Sequence, residues 1–334
     1  MDNRISTSDH IFIAGSNGMV GRATTKRLID LGYGNKKHYG KLLTPKRSEL
    51  DLSDYNKVED WFKENKPSVV IFAAAKVGGI KANQMYPAEF MLDNLKIQNN
   101  VIELAYKYDV KRFLFLGSSC IYPKFAKQPI KEEYLLSNQL EKTNEWYAIA
   151  KIAGLKLCES LRIQYGFDAI SLMPTNLYGK FDNYETNRSH VLPALIRKFT
   201  DAVKNKERVV YCWGDGSPLR EFLNVDDLAS AIVFVLENWD PSNKFSNNYG
   251  EDLYYLNVGS GEEISIYNLA HKIAKLTGFN GEIKWDGTQN NGTPRKKLDC
   301  TRIFNMGWKP TIMLDEGLNR TLKSFNEEFN QSKL

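Results

Sequence analysis

Hydrophobic residues fall along this chain in short unbroken runs, separated by longer stretches that are apolar on one face only. Ile11 to Ala14 is the first run; Ser68 to Ala74 (SVVIFAA) and Arg112 to Leu116 (RFLFL) are the clearest. Runs of this kind predict strands buried on both faces, as in a parallel sheet, because a strand with one wet face alternates instead. Residues from about Met19 to Leu31, Tyr55 to Asn65, Pro87 to Tyr108 and Asn144 to Tyr165 repeat apolar positions at helical spacing. Lys41 to Thr44 and Ala169 to Met173 complete the set of strands. Strand and helix in alternation predict an α/β fold, a Rossmann-type doubly wound parallel sheet.

The pattern changes near Gly179. A loop leads to a helix at Val191 to Val203, a short strand at Val209 to Tyr211 and a strong helix at Val225 to Trp239. From Tyr254 onward come short strands, one amphipathic helix (Ile266 to Thr277) and turn-rich connections. The expected organisation is a nucleotide-binding domain of residues 1–178 plus about 220–245, and a smaller α/β substrate domain of about 179–219 and 246–334. No internal repeat or low-complexity stretch interrupts it.

At 334 residues, 42% hydrophobic and 25% charged, the chain can bury a large core. Its net charge of +5 suits an anionic small molecule and is too mild and too evenly spread to argue for nucleic acid. Met1 to His10 is polar and lacks a signal-peptide pattern, and no apolar run reaches the length of a membrane span. The four cysteines (Cys120, Cys158, Cys212, Cys300) and four histidines (His10, His38, His190, His271) are scattered, without metal-ligand or disulfide-framework spacing. No metal is expected, and the expected compartment is the reducing cytoplasm.

Between the first strand and first helix stands G-S-N-G-M-V-G: Gly15, Ser16, Asn17, Gly18, Met19, Val20, Gly21. Glycines there allow a tight turn, let a pyrophosphate approach the backbone, and let the helix pack closely; the helix N-terminus then offers N–H groups to phosphate. An acid at the end of the second strand would bind an NAD ribose and repel a 2′-phosphate. Here that end reads Thr44-Pro45-Lys46-Arg47, with no acid before Glu49, which favours NADP(H). Tyr147 and Lys151 form Y-A-I-A-K, one turn apart on one helix face. A phenol is a poor proton donor at neutral pH unless tuned, and a nearby ammonium is expected to lower its pKa. Leu116-Gly117-Ser118-Ser119 lies at the carboxyl end of a buried strand, where open α/β sheets bind ligands. Taken singly, each of these has a bland reading as a turn, a cap or an amphipathic helix face.

The GxxGxxG turn with the Ser/Tyr/Lys set resembles the extended branch of the short-chain dehydrogenase/reductase superfamily; in that pattern Asp51 and Leu52 match the adenine-contacting pair. Longer strings narrow it: A-A-A-K-V-G-G-I (Ala73 to Ile80), G-S-S-C-I-Y-P-K (Gly117 to Lys124), M-P-T-N-L-Y-G (Met173 to Gly179), S-H-V-L-P-A-L (Ser189 to Leu195), R-E-F-L-N-V-D-D (Arg220 to Asp227) and G-T-P-R-K-K-L-D (Gly292 to Asp299). In one order from Ile11 to the last helix, they resemble the GDP-L-fucose synthase family, which epimerises two ring carbons of GDP-4-keto-6-deoxy-D-mannose and then reduces its ketone with NADPH. The resemblance implies Cys120 as base and His190 as acid for epimerisation, with Ser118, Tyr147 and Lys151 for reduction. It implies Pro174, Thr175, Asn176, Leu177 and His190 at the cofactor, and Lys198, Trp213, Arg220 and Asn291 at the GDP-sugar. It also implies a homodimer built on the two long helices. Two departures stand out: Asn17 replaces an arginine common in relatives, leaving Lys46 and Arg47 as the cations for a 2′-phosphate, and Asn291 replaces an acid. Rival readings are a nucleotide-sugar 4-epimerase or 4,6-dehydratase, a non-catalytic NADP sensor, and a dimeric scaffold; an intact Tyr147–Lys151 pair argues against the last two.

Overall fold

The computed structural model describes residues 4–185, 189–241, 253–289 and 291–331. In chain order its elements are β1 (His10–Ala14), α1 (Met19–Asp30), β2 (Lys41–Leu43), α2 (Tyr55–Asn65), β3 (Val69–Phe72), α3 (Ile80–Met85), α4 (Pro87–Lys107), β4 (Arg112–Leu116), α5 (Glu145–Tyr165) and β5 (Ala169–Pro174). There follow β6 (Asn176–Tyr178), α6 (Val191–Lys204), β7 (Val209–Trp213), β8 (Leu219–Asn224), α7 (Val225–Asn238), β9 (Tyr255–Val258), β10 (Glu263–Ser265), α8 (Ile266–Thr277), β11 (Glu282–Asp286), β12 (Arg295–Lys296), α9 (Thr301–Asn305) and α10 (Leu314–Gln331).

The main sheet runs β2-β1-β3-β4-β5-β9, with every pair parallel. Its inner strands β3, β4 and β5 are buried at every position, as their unbroken apolar runs require. β2 and β3 flank β1 on opposite sides, so the connections diverge there and leave a crevice at the carboxyl ends of the strands. Arg112 is wholly buried in β4, where a lone charge would be costly. It is neutralised by Asp168 and donates to the Val235 carbonyl at 3.0 Å, which ties the end of α7 to the sheet. Helix ends follow local chemistry. Asp54, Asn224 and Ser265 cap α2, α7 and α8 through their side chains. α5 and α8 stop at Gly166 and Gly278, both left-handed.

A second buried cluster is built on Leu195, Ile196 and Phe199 of α6, Phe222 of β8, Leu269 and Ile273 of α8, and Leu318 and Phe325 of α10. There β8 pairs with β6, β10 and β12, and β7 pairs with β11. Three features depart from the sequence reading. β9, from the stretch assigned to the smaller domain, is the sixth strand of the main sheet, and Cys300, Ile303 and Trp308 join the first core with it. β8 was not anticipated as a strand. Nor was α10 resolved from the turn-rich tail, because its apolar positions are diluted by charged and amide side chains.

Candidate active site

The crevice at β1 is shaped by glycine. Gly15 has φ +86°, and a Cβ there would stand 2.7 Å from the Ala74 nitrogen. A Cβ on Gly21 would stand 2.2 Å from the Gly15 carbonyl oxygen, so α1 reaches the turn only without one. Gly18 caps α1 and no side chain blocks the helix end, which leaves Met19 and Val20 in a first turn open to phosphate. Ser16 is buried beside the Pro45 carbonyl, and Asn17 is exposed. A cradle that any side chain would fill fits a dinucleotide diphosphate. Lys46 and Arg47 stand exposed just past β2. Asp51 accepts from the Ser53 N–H and hydroxyl, which hold its carboxyl below the usual range, and the Leu52 carbonyl accepts from Asn100 at 2.9 Å.

At the end of β4 the chain tightens again. A Cβ on Gly117 would meet Met173 Sδ at 2.3 Å. Ser119, buried, opens a short 3-10 turn over Ser119–Ile121, and the Cys120 N–H donates to Ser118 Oγ at 3.2 Å. The Ser118 hydroxyl stands close enough to the Tyr147 phenol to favour its ionised form slightly. Lys151, one turn along α5, is buried; its ammonium donates to the Leu116 carbonyl at 2.8 Å and lies 4.7 Å from the Phe115 ring centre. Burial pushes its pKa down to about 7. The expected lowering of the Tyr147 phenol does not occur. Burial first, and then the Cys120 charge, push it up, with Ser118 offsetting part. The Lys151 charge is directed at a carbonyl and aromatic faces, and desolvation decides the phenol's state. Past β5, which ends at Pro174, Thr175 Oγ1 and Asn176 Nδ2 both donate to the Glu221 carbonyl, at 3.2 and 2.7 Å.

Beyond these strand ends lies a cavity of about 600 Å³, in the range of ligand pockets. Ser118, Cys120, Tyr147, Asn176, Leu177 and His190 line it, and so do Lys198, Trp213, Arg220 and Asn291. The fold thus brings together the residues assigned to proton transfer and those assigned to the nucleotide-sugar. The glycine turn, Lys46, Arg47, Asp51, Leu52, Leu116, Gly117, Ser119, Lys151, Pro174 and Thr175 do not line it; they sit at or beneath the strand ends. His190 precedes α6, and Ala194, Lys198 and Asp201 follow it along the cavity wall. At the helical rise, the wall from His190 to Asp201 is about 16 Å long, enough for an extended sugar nucleotide. Lys198 donates to the Tyr211 carbonyl at 2.6 Å with its nitrogen 5.9 Å from the Trp213 ring centre. Arg220 donates to the Leu219 and Asn291 carbonyls, at 2.9 and 3.3 Å.

His190 faces the cavity and is exposed to it. Desolvation by the protein atoms nearby, and then the Lys296 charge, push its pKa down to about 4. The imidazole is therefore neutral near pH 7, because desolvation and a nearby cation both disfavour imidazolium.

Residues 11–248 match the NAD dependent epimerase/dehydratase family. GDP-L-fucose synthase 1 of Arabidopsis thaliana is 51% identical over 314 residues, covering 94% of this chain and 92% of that protein. GDP-L-fucose synthase of Escherichia coli (strain K12) is 47% identical over 321 residues, covering 96% and 98%. The chain belongs to the GDP-L-fucose synthase family. Among solved structures, a GDP-L-fucose synthetase from Naegleria fowleri bound to NADP superposes with a TM-score of 0.82, at 25% identity, covering 98% of this chain and 96% of that one.

For a GDP-L-fucose synthase family member, several cavity residues escaped the sequence reading. Lys296 lies inside a quoted string but carried no role; it reaches the cavity through the pairing of β12 with β8. Asn144 lines the cavity one turn before Tyr147, and its Oδ1 is buried with no hydrogen bond among the described residues. Its spacing of three from Tyr147 was the available signal. Glu141, also in the wall, is paired with Lys124 at 2.8 Å.

Proposed function

We propose that this chain makes GDP-L-fucose from GDP-4-keto-6-deoxy-D-mannose by epimerising two ring carbons and reducing the ketone with NADPH. The observation that carries the reading is the single cavity onto which Cys120, His190 and Tyr147 all open, beside a glycine cradle. Carbons beside a ketone are acidic because an enolate spreads the charge onto oxygen. Cys120, as thiolate, removes a ring proton from one face; Ser118 and Tyr147 hydrogen-bond the enolate oxygen. His190 returns a proton to the opposite face. It is neutral at rest, so it takes up that proton once a diphosphate and an enolate bring negative charge into the cavity. Proton return from the thiol through solvent resets the pair, and the sequence repeats at the second carbon.

NADPH, when bound, supplies the hydride. Gly15, Ser16, Asn17, Gly18 and Gly21 would hold its diphosphate, Lys46 and Arg47 its 2′-phosphate, and Lys151 its nicotinamide ribose. Tyr147 protonates the C4 oxygen as the alcohol forms, and a phenol held in its protonated form by burial is suited to donate. Lys198 and Arg220 would face the diphosphate, and Trp213 offers an aromatic face to the base.

The test is incubation with GDP-4-keto-6-deoxy-mannose and NADPH. One NADPH consumed per GDP-L-fucose formed supports the reading. A 4-epimerase or dehydratase, which regenerates its cofactor, would consume none. The helices α4 and α5 carry exposed Leu92, Ile163 and Tyr165, which supports a homodimer through that pair; a monomeric mass in solution would count against it. Among the described residues, no helix is long and apolar enough to cross a membrane. A cytoplasmic enzyme is in keeping with that.

A further inference from the structure

Lys296 ends the two-residue strand β12, which pairs in parallel with β8 so that Lys296 stands beside Arg220. That register brings two cations to one wall of the cavity. The Lys296 ammonium lies 3.7 Å from Cys120 Sγ, and its charge is also felt at His190. Arg220, the second cation, also feels the Cys120 charge, but no hydrogen bond joins its guanidinium to the sulfur among the described residues. Ser118 Oγ accepts from the Cys120 N–H, and the Arg220 guanidinium donates to two carbonyls. Sulfur is a large, soft atom at the end of a single rotatable bond. Its direction is set by the strongest partner within reach, and a cation is the partner that a charged sulfur prefers.

We propose that Lys296 is a positioning residue for the epimerisation: its ammonium aims the Cys120 sulfur at the ring face and balances the negative charge that the sulfur carries as base. The inference rests on the proton-transfer role given to Cys120 above. When the sulfur takes the ring proton, the C–H electron pair passes into the enolate and the sulfur becomes neutral. The ammonium keeps its own proton throughout and faces a negative charge that has moved from sulfur to substrate. One lysine thus serves both ends of the transfer.

The test compares wild type with Lys296→Met and Lys296→Arg. The first readout is the rate at which iodoacetamide alkylates Cys120, followed by peptide mass, without sugar or cofactor; Cys158, Cys212 and Cys300 are buried and shielded. Lys296→Met should slow alkylation about tenfold or more, because thiolate reactivity follows its charge partner, and Lys296→Arg should restore most of it. The second readout is deuterium uptake into GDP-4-keto-6-deoxy-mannose in heavy water, which should fall in Lys296→Met while NADPH binding is unchanged. Alkylation of Lys296→Met at the wild-type rate overturns the proposal, and so does unchanged deuterium uptake. No rescue by Lys296→Arg also overturns it, since a second cation at the same place should serve. Alkylation needs neither substrate nor cofactor. A wild type that alkylates as expected but takes up no deuterium would therefore fail the functional reading separately.

Discussion

The Lys151 ammonium donates to the Leu116 carbonyl at 2.8 Å, and both residues are buried. One hydrogen bond and two aromatic faces do not replace the water lost by the ammonium, so its pKa falls from 10.5 to about 7. Because the folded-state value lies below the unfolded one, the unfolded chain binds the extra proton between these limits. The cost to stability is full below about pH 7 and fades as pH rises toward 10.5. Lys151→Met should therefore stabilise the cofactor-free protein by on the order of a few kcal/mol at or below neutral pH, while abolishing turnover. Thermal melts across pH check it. Equal melting of the two proteins at pH 6 would contradict it.

Gly21 is fixed by space rather than by torsion. With its Cβ 2.2 Å from the Gly15 carbonyl, Gly21→Ala must push α1 off the turn. The expected cost is about 1–3 kcal/mol of stability together with loss of NADPH binding. NADPH fluorescence titration and a melt measure both.

Lys46 and Arg47 are exposed, and Asn17 brings no cation to the turn. If they grip the 2′-phosphate, the double variant Lys46→Ala/Arg47→Ala should weaken NADPH binding about tenfold and leave NADH nearly unchanged. An equal loss for both cofactors would assign the two cations to general folding instead.

His190, held near 4 against an ordinary 6.5, makes a pH signature of the same sign as Lys151. Between these values the unfolded chain binds the proton and the native one does not, so stability is lost as pH falls through that window. His190→Asn should lose less stability than wild type between neutral pH and about pH 5. Parallel melts at the two pH values give the comparison.

Strands β1, β3, β4 and β5 and helices α1, α4 and α5 were readable because continuous apolar runs and helical periodicity survive without tertiary context. The glycine turn and Tyr147–Lys151 were readable because their spacing is local. β8 and β12 were not. β8 is half polar, and β12 is only two residues long, both charged, so nothing periodic marks either. The place of Lys296 beside Cys120 depends on the register between those two strands, which no local pattern encodes. The state of Tyr147 differs from the sequence expectation for a related reason: a neighbouring lysine can be seen in the sequence, but the desolvation that dominates the phenol cannot.

The most direct measurement is deuterium incorporation from heavy water into the sugar during turnover with NADPH, in wild type, Cys120→Ser and His190→Asn. Wild type should carry label at both ring carbons that change configuration. Each variant should lose that label, and Cys120→Ser should bind NADPH as wild type does. Full labelling at both carbons in both variants would remove the thiol and the imidazole from the chemistry, and the shared cavity would then have another purpose.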